Sequence, residues 1–265
     1  QQPATPTGLV TEKAMVVSAR EEASQLAADI MKKGGNAFDA GVGAAMALKV
    51  TKMGFAGWTG VAPLILYSAR EGQVITCIGA GTTPALATLE HFLEHGKTRV
   101  NIALIPADVD VWLATLDRFG TISFEEAVQY ALEIAENGYH LYKMQKNLLD
   151  TGEKGILVFP YNVEFWYQHG VGEQKVGDIM VNKDLGKLIR YMIDAERRTL
   201  AGGGNRSDGI WAARDAFYKG EPAKAVDKFF REHPEGIVRY EDMANYLGRW
   251  MAPLHTTYRG YDIYT

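Results

Sequence analysis

The sequence predicts a layered protein of mixed helix and strand. Three observations carry that expectation. Several segments repeat apolar residues at helical spacing behind a capping signal. Two short apolar runs flank Arg70-Glu71-Gly72 as the arms of a hairpin would. Helical segments bracket the strand pairs along the chain, the order expected when helices cover sheets. No internal repeat or low-complexity linker interrupts the 265 residues, which read as one domain, 1–265.

Taken in order, residues 14–18 (AMVVS) are short and β-branched, and predict a strand. Ser18-Ala19-Arg20-Glu21 fits a capping box, and Ala23, Leu26, Ala27, Ile30 and Met31 give the following helix one apolar face. Gly34-Gly35 stops it, and Asn36 caps a second helix over 37–50. That helix is small or apolar on nearly every side, so it should be buried between layers. Gly41, Gly43, Ala44 and Ala45 would admit close neighbours. Residues 54–60 (GFAGWTG) form a glycine-rich turn, 62–69 and 73–79 the hairpin, and 88–95 a short helix. Ser123-Phe124-Glu125-Glu126 is a second capping box, whose helix carries the stripe Phe124, Ala127, Val128, Ala131, Ile134 and Ala135 and closes at Asn137-Gly138. Residues 155–178 are aromatic and turn-rich without a period. Helices are expected over 185–193, 221–231 and 240–247, a flexible loop over 201–209 and a strand or hairpin over 256–264.

Composition excludes several classes. A formal charge of -4 lacks the basic stripe of a nucleic-acid binder, so no nucleic-acid partner is expected. The longest apolar run, near 40–48, is too short and glycine-rich for a bilayer, so no membrane partner is expected. Cys77 is the single cysteine, which excludes an internal disulfide or a multi-cysteine zinc site. The opening QQPATPTG is polar and proline-containing, consistent with a removed signal and a periplasmic or secreted setting. No cofactor motif is found: the AGGGNRSDG run fits neither a dinucleotide fingerprint nor a P-loop.

An ordered set of motifs resembles the large subunit of the gamma-glutamyltranspeptidase family. Residues 28–40 (ADIMKKGGNAFDA) are similar to its ILKxGGNAxDAA segment. FGT at 119–121, AENGY at 135–139, FYKG at 217–220, EDMANY at 241–246 and YRGYDIY at 258–264 follow its pattern in order, and AMVVSA at 14–19 resembles its opening strand. The resemblance implies an α+β fold, the four-layer αββα sandwich of N-terminal-nucleophile hydrolases, in which this chain is the large subunit and a separate small subunit completes the fold. It also implies a precursor that cuts itself and frees a threonine at the partner's N-terminus. A threonine hydroxyl is a weak nucleophile, and its own α-amine supplies the nearby base. Donors then stabilise the oxyanion, and an acyl-enzyme is released by water or an amine. The chain ends one residue beyond the YRGYDIY match, so no catalytic nucleophile is expected on it. The expected partners are the small subunit and a small-molecule amide substrate.

The family keeps an arginine in an RExAP motif to pair with the γ-glutamyl α-carboxylate, a bidentate contact that is hard to replace. Here the matching stretch is Ala80-Gly81-Thr82-Thr83-Pro84, so Ala80 and Gly81 stand for Arg and Glu. The glycine-rich turn of the family also departs, reading WTGVAP at 58–63. The expected substrate-binding wall is Ala80, Gly81, Thr82 and Thr83, and the expected substrate an amide with an acyl group other than γ-glutamyl. A compensating arginine, such as Arg99, would instead restore a true γ-glutamyl hydrolase or transpeptidase. A member that keeps the fold without chemistry is the non-enzymatic alternative.

One short motif points elsewhere. HFLEH at 91–95 matches the inverted zinc-peptidase signature. Its histidines are one helical turn apart, but a third carboxylate ligand is needed, and Glu133, Glu136 and Glu173 are poor candidates. Gly96 ends the segment at once. An exposed surface helix is the expectation, and no metal. Cys77 reads as a buried strand residue, and His140, His169, His233 and His255 show no ligand spacing.

Overall fold

The most specific stretch of sequence is the first to explain itself. The Asn36 side chain accepts from the backbone N–H of Phe38 and Asp39, and Asp39 returns a bond to the N–H of Asn36, closing the capping box. Asp39 is fully buried and also accepts from Thr121 N–H at 2.7 Å and Thr121 Oγ1 at 2.7 Å. Asn36 Nδ2 donates to the carbonyl of Phe119. A side chain at Gly120 would collide with Asp39, its Cβ 2.6 Å from Oδ1. The GGNAFDA and FGT motifs are therefore two halves of one hydrogen-bonded joint.

The computed structural model describes residue 11 and residues 13–265. The polar lead-in at residues 1–8 lies outside the described residues. Eleven helices and seven strands follow in the order α1 (Glu21–Lys32), α2 (Ala37–Thr51), β1 (Leu64–Ser68), β2 (Gln73–Ile78), α3 (Leu89–His95), α4 (Asp108–Phe119), α5 (Phe124–Asn137), β3 (Tyr139–His140), α6 (Lys143–Ile156), α7 (Pro160–Trp166), β4 (Ile179–Met180), α8 (Lys183–Ala201), α9 (Arg206–Tyr218), α10 (Glu221–Arg231), α11 (Tyr240–Ala244), β5 (Arg249–Met251), β6 (His255–Tyr258) and β7 (Tyr261–Tyr264), among the described residues.

As its composition requires, α2 is buried on almost every side, packed by α1, α4 and α5. Gly43 is where α1 comes closest: an added Cβ would lie 2.4 Å from Ile30 Cδ1. A charge sits in this core. Lys49, 1% exposed, pairs with Asp108 at 2.6 Å beneath the ring of Trp112. Burial pushes the lysine down and the aspartate up, and each charge opposes the other's shift. On the far side of α5, α8 packs against α9, and buried Glu196 accepts from the N–H groups of Phe124 and Glu125, capping α5 from a neighbouring helix.

Beside these helices, β1, β2 and β5 form an antiparallel sheet in the order β1-β2-β5. The register pairs Leu64 with Cys77, Cys77 with Trp250, and Ile78 with Arg249. Its inner face packs Leu64, Cys77 and Trp250 against Val111 and Trp112 of α4. The opposite face leaves Ile65, Tyr67, Ile78 and Met251 about half exposed, so among the described residues this apolar face is uncovered. The β6–β7 hairpin is exposed throughout.

Four local expectations are corrected. Residues 14–18 form no strand, because among the described residues no neighbour supplies hydrogen bonds. The box at Ser18 does not form: Ser18 Oγ pairs with Ser24 Oγ at 2.7 Å, and α1 starts at Glu21 behind an N-cap, Arg20, whose side chain makes no cap bond. Residues 201–209 are not one flexible loop. Asn205 and Asp208 make a capping box that starts α9, and Arg206 donates to the carbonyls of Leu116, Asp117 and Ile122 at the end of α4. The helix expected over 240–247 stops at Ala244, because Tyr246 and Gly248 are drawn into a buried charge network.

Candidate substrate-binding site

Residues 79–83 run as a strap between two neighbours. Ala62 N–H donates to the carbonyl of Gly79 at 2.7 Å on one side, and Ile105 N–H to the carbonyl of Thr82 at 2.9 Å on the other. The fit leaves no room for side chains at alternate positions. A Cβ on Gly79 would lie 2.1 Å from the oxygen of Ala62, and one on Gly81 2.3 Å from the oxygen of Ile105. Gly81 also sits at φ +77, the left-handed region that side chains resist. Ala80, Thr82 and Thr83 are exposed on the strap.

Of the four expected wall residues, Thr82 alone lines a groove, of about 570 Å³. The opposite wall comes from residues 241–249, which the sequence alone does not assign to the site although EDMANY at 241–246 lies within them: Glu241, Asp242, Asn245, Tyr246, Leu247, Gly248 and Arg249. Asp242 is already engaged, accepting from Ala85 N–H at 3.1 Å and Arg239 N–H at 2.9 Å. Arg99, the arginine that the alternative reading offers in place of the one missing at Ala80, is not in the groove but beside Gly155 of α6. The signal for the second wall is slight: a Gly-Arg pair shortly after the EDMANY segment, its arginine the first residue of β5.

Beneath this wall lies a buried charge network. Arg214 Nε meets Asp110 Oδ1 at 2.5 Å, with the two residues 3% and 1% exposed. Arg214 also donates to the carbonyl of Tyr246, and Gly248 N–H donates to Asp110 Oδ2 at 2.7 Å. Tyr218 donates its hydroxyl to the carbonyl of Pro106 at 2.8 Å and accepts from Asp110 N–H. Burial, then the Asp110 charge, pushes the Tyr246 phenol up to about 12, so it remains a protonated hydroxyl.

Cys77 lies next to this network, and burial, then Asp110, raises its thiol to about 11. It is therefore a thiol near neutrality and no nucleophile. Ellman's reagent at pH 8 is expected to label native Cys77 roughly 100-fold more slowly than the unfolded chain, where the thiolate forms near pH 8.5. Comparable rates would mean that strand β2 is open to solvent.

The zinc motif is an exposed helix end: α3 buries none of its residues. His91 Nε2 lies 3.0 Å from the carbonyl of Glu235. A carbonyl only accepts, so that nitrogen carries the proton and has no lone pair for a metal. Among the described residues no three histidine, cysteine or acidic side chains gather as ligands, and no helix is long and apolar enough to cross a membrane. Two further concavities, of about 780 and 550 Å³, lie along the sheet and the terminal hairpin, lined by strand residues such as Val74, Met251 and Tyr264. They mark uncovered sheet rather than converging functional groups.

Comparison with known proteins identifies relatives of the chain. The family model described as gamma-glutamyltranspeptidase matches residues 23–265. The chain is 29% identical to the glutathione hydrolase proenzyme of Bacillus subtilis (strain 168), over 97% of this chain and 42% of that protein. It is 26% identical to the acylase ACY 1 proenzyme of Pseudomonas sp. (strain SE83), over 95% of this chain and 44% of that protein. Its fold superimposes on the crystal structure of Helicobacter pylori gamma-glutamyltranspeptidase with a TM-score of 0.83 at 24% identity, covering 97% of this chain and 70% of that one. The chain thus spans less than half the length of the curated relatives it matches.

Proposed function

The chain belongs to the gamma-glutamyltranspeptidase family, and from that premise we propose that it is the large-subunit portion of an autoprocessed threonine-nucleophile amidohydrolase or acylase acting on an acyl group other than γ-glutamyl. Residues 1–265 then form one domain whose fold a small subunit completes. The relatives' names as proenzymes, and the span of this chain within them, support a two-chain product. The half-exposed apolar sheet face gives such a partner a surface to cover.

The chemistry follows from the nucleophile. The partner's N-terminal threonine, deprotonated by its own α-amine, adds to the amide carbonyl. Collapse of the tetrahedral adduct breaks the C–N bond and the amine leaves with the proton. Water then attacks the ester and frees the acid. This chain supplies the strap 79–83 and its groove as one wall for the acyl group.

The observation that carries the substrate reading is the strap itself. Ala80 has no cation to offer an α-carboxylate, and Gly81 holds a backbone conformation built for glycine. Losing a bidentate charged pair removes about two orders of magnitude in binding. Ala80→Arg is therefore expected to raise kcat/KM on γ-glutamyl-p-nitroanilide by at least about tenfold over the parent. Efficient turnover by the parent would instead make it a true γ-glutamyl hydrolase, the reading favoured by the name of the Bacillus subtilis relative. Intact mass and N-terminal sequencing of every chain expressed from the full gene test the mechanism. A partner beginning with threonine is expected, and a partner without it leaves a binding or structural homologue.

A further inference from the structure

The geometry points to Arg249, with Thr82, as a carboxylate-binding subsite in the groove beside the strap. The inference rests on the acyl-pocket reading above for its link to catalysis, and on the groove alone for binding. Arg249 opens β5 directly opposite Ile78, two residues before Ala80. It shares the groove with the exposed Thr82 and is the single basic residue among its lining residues. Among the described residues its guanidinium makes no ion pair and no side-chain hydrogen bond.

Its backbone is held on both sides. Gly248 N–H is fixed to Asp110, the carbonyl of Tyr246 to Arg214, and Arg249 itself is paired with β2. A fork of donors on such a base loses little freedom when it closes on two oxygens. The other charges in the groove narrow the ligand. Asp242 is occupied by backbone N–H groups, and Glu241 leaves the groove acidic overall. That disfavours phosphates and polyanions and suits one carboxylate, with the Thr82 hydroxyl as a further donor. The cation absent at position 80 is thus supplied from a different strand, and the preferred acyl group carries a carboxylate placed differently from that of a γ-glutamyl group.

The test uses the processed two-chain enzyme with succinyl- and glutaryl-p-nitroanilide against the neutral butyryl and valeryl analogues. The parent should favour the carboxylated pair by at least about tenfold in kcat/KM, and Arg249→Gln should erase that preference, raising KM on the carboxylated substrates by about 100-fold. Arg249→Lys should keep part of it, and Thr82→Val should lower it about fivefold. Calorimetry with glutarate on the same preparation is the arm that needs no turnover: binding is expected in the parent and lost in Arg249→Gln at unchanged melting temperature. A parent that neither binds glutarate nor discriminates overturns the subsite, as does an Arg249→Gln variant that keeps the preference or only loosens the subunits. If no anilide is cleaved but glutarate binding is lost in Arg249→Gln, the subsite stands and the hydrolase reading fails.

Discussion

Replacing Asp110 by alanine is expected to destabilise the protein by about 3–5 kcal/mol, since the change strands a buried guanidinium without its counter-charge. Asp110 and Arg214 are both almost fully buried, and each carries more than the other's charge. Asp110 holds Gly248 N–H, Arg214 holds the carbonyl of Tyr246, and the Arg214 guanidinium lies 4.5 Å from the centre of the Tyr218 ring. Tyr218 in turn stacks on Tyr246 at 5.7 Å. Truncating one member leaves the desolvation of the other uncompensated. Replacing both by apolar residues of similar volume, as in Asp110→Leu with Arg214→Met, removes both charges, so much of the loss should return. Urea unfolding of the two singles and the double reads this coupling directly. A loss below about 1 kcal/mol in Asp110→Ala, within the range of exposed pairs, would show that water reaches the network. On the Arg249 proposal, a stable double variant should still bind glutarate poorly, because residues 246–248 have lost their anchors just before Arg249.

Gly81→Glu, a change toward the family's own motif, is expected to destabilise by more than about 3 kcal/mol, while Ala80→Arg should stay within about 0.5 kcal/mol. The left-handed backbone at φ +77 contributes roughly 1–2 kcal/mol for any side chain. The larger part is steric. A Cβ at 2.3 Å from the carbonyl oxygen of Ile105 meets backbone, and Ile105 cannot retreat without breaking its 2.9 Å bond to Thr82. Ala80 carries neither constraint: it is exposed, and its φ is not positive. Melting temperatures of the two single variants decide the matter. Equal stability would mean that the strap runs differently from the path described. The contrast also separates the two departures from the family motif. Ala80 can be reversed alone to test substrate preference, whereas glycine at 81 belongs to the architecture of the strap.

Local signals in the chain carry much of the helical framework. Asn36 caps its helix as expected, with Asp39 completing a box, and the box expected at Ser123 and Glu126 forms as spaced. The stripe Phe124, Ala127, Val128, Ala131, Ile134 and Ala135 is buried residue for residue. The hairpin around Arg70-Glu71-Gly72 and the helix over Glu221–Arg231 also form where expected. The misses have physical causes. Helix α4 buries Asp108, Asp110 and Thr115 among its apolar residues, so its stripe is broken by charges whose partners, Lys49 and Arg214, lie elsewhere in the chain. Helix α9 follows three glycines and contains a fourth, Gly209. Glycine suits that helical position because α8 passes so close that a Cβ would lie 3.1 Å from Glu196 Cγ.

Sequence alone was enough for the family, the helices that carry their own caps, and the departure at Ala80-Gly81. The caps rest on residues a few positions apart, where hydrogen bonds and periodicity are local, and the family on short local motifs kept in order along the chain. It took the folded chain to show that Gly81 has no space for a side chain, that Arg99 is remote from the groove and that Arg249 shares it with Thr82. Those facts depend on Asp110 meeting Arg214 across 104 residues and on β5 pairing with β2. No spacing in the chain encodes a contact whose partners are brought together only when the layers close.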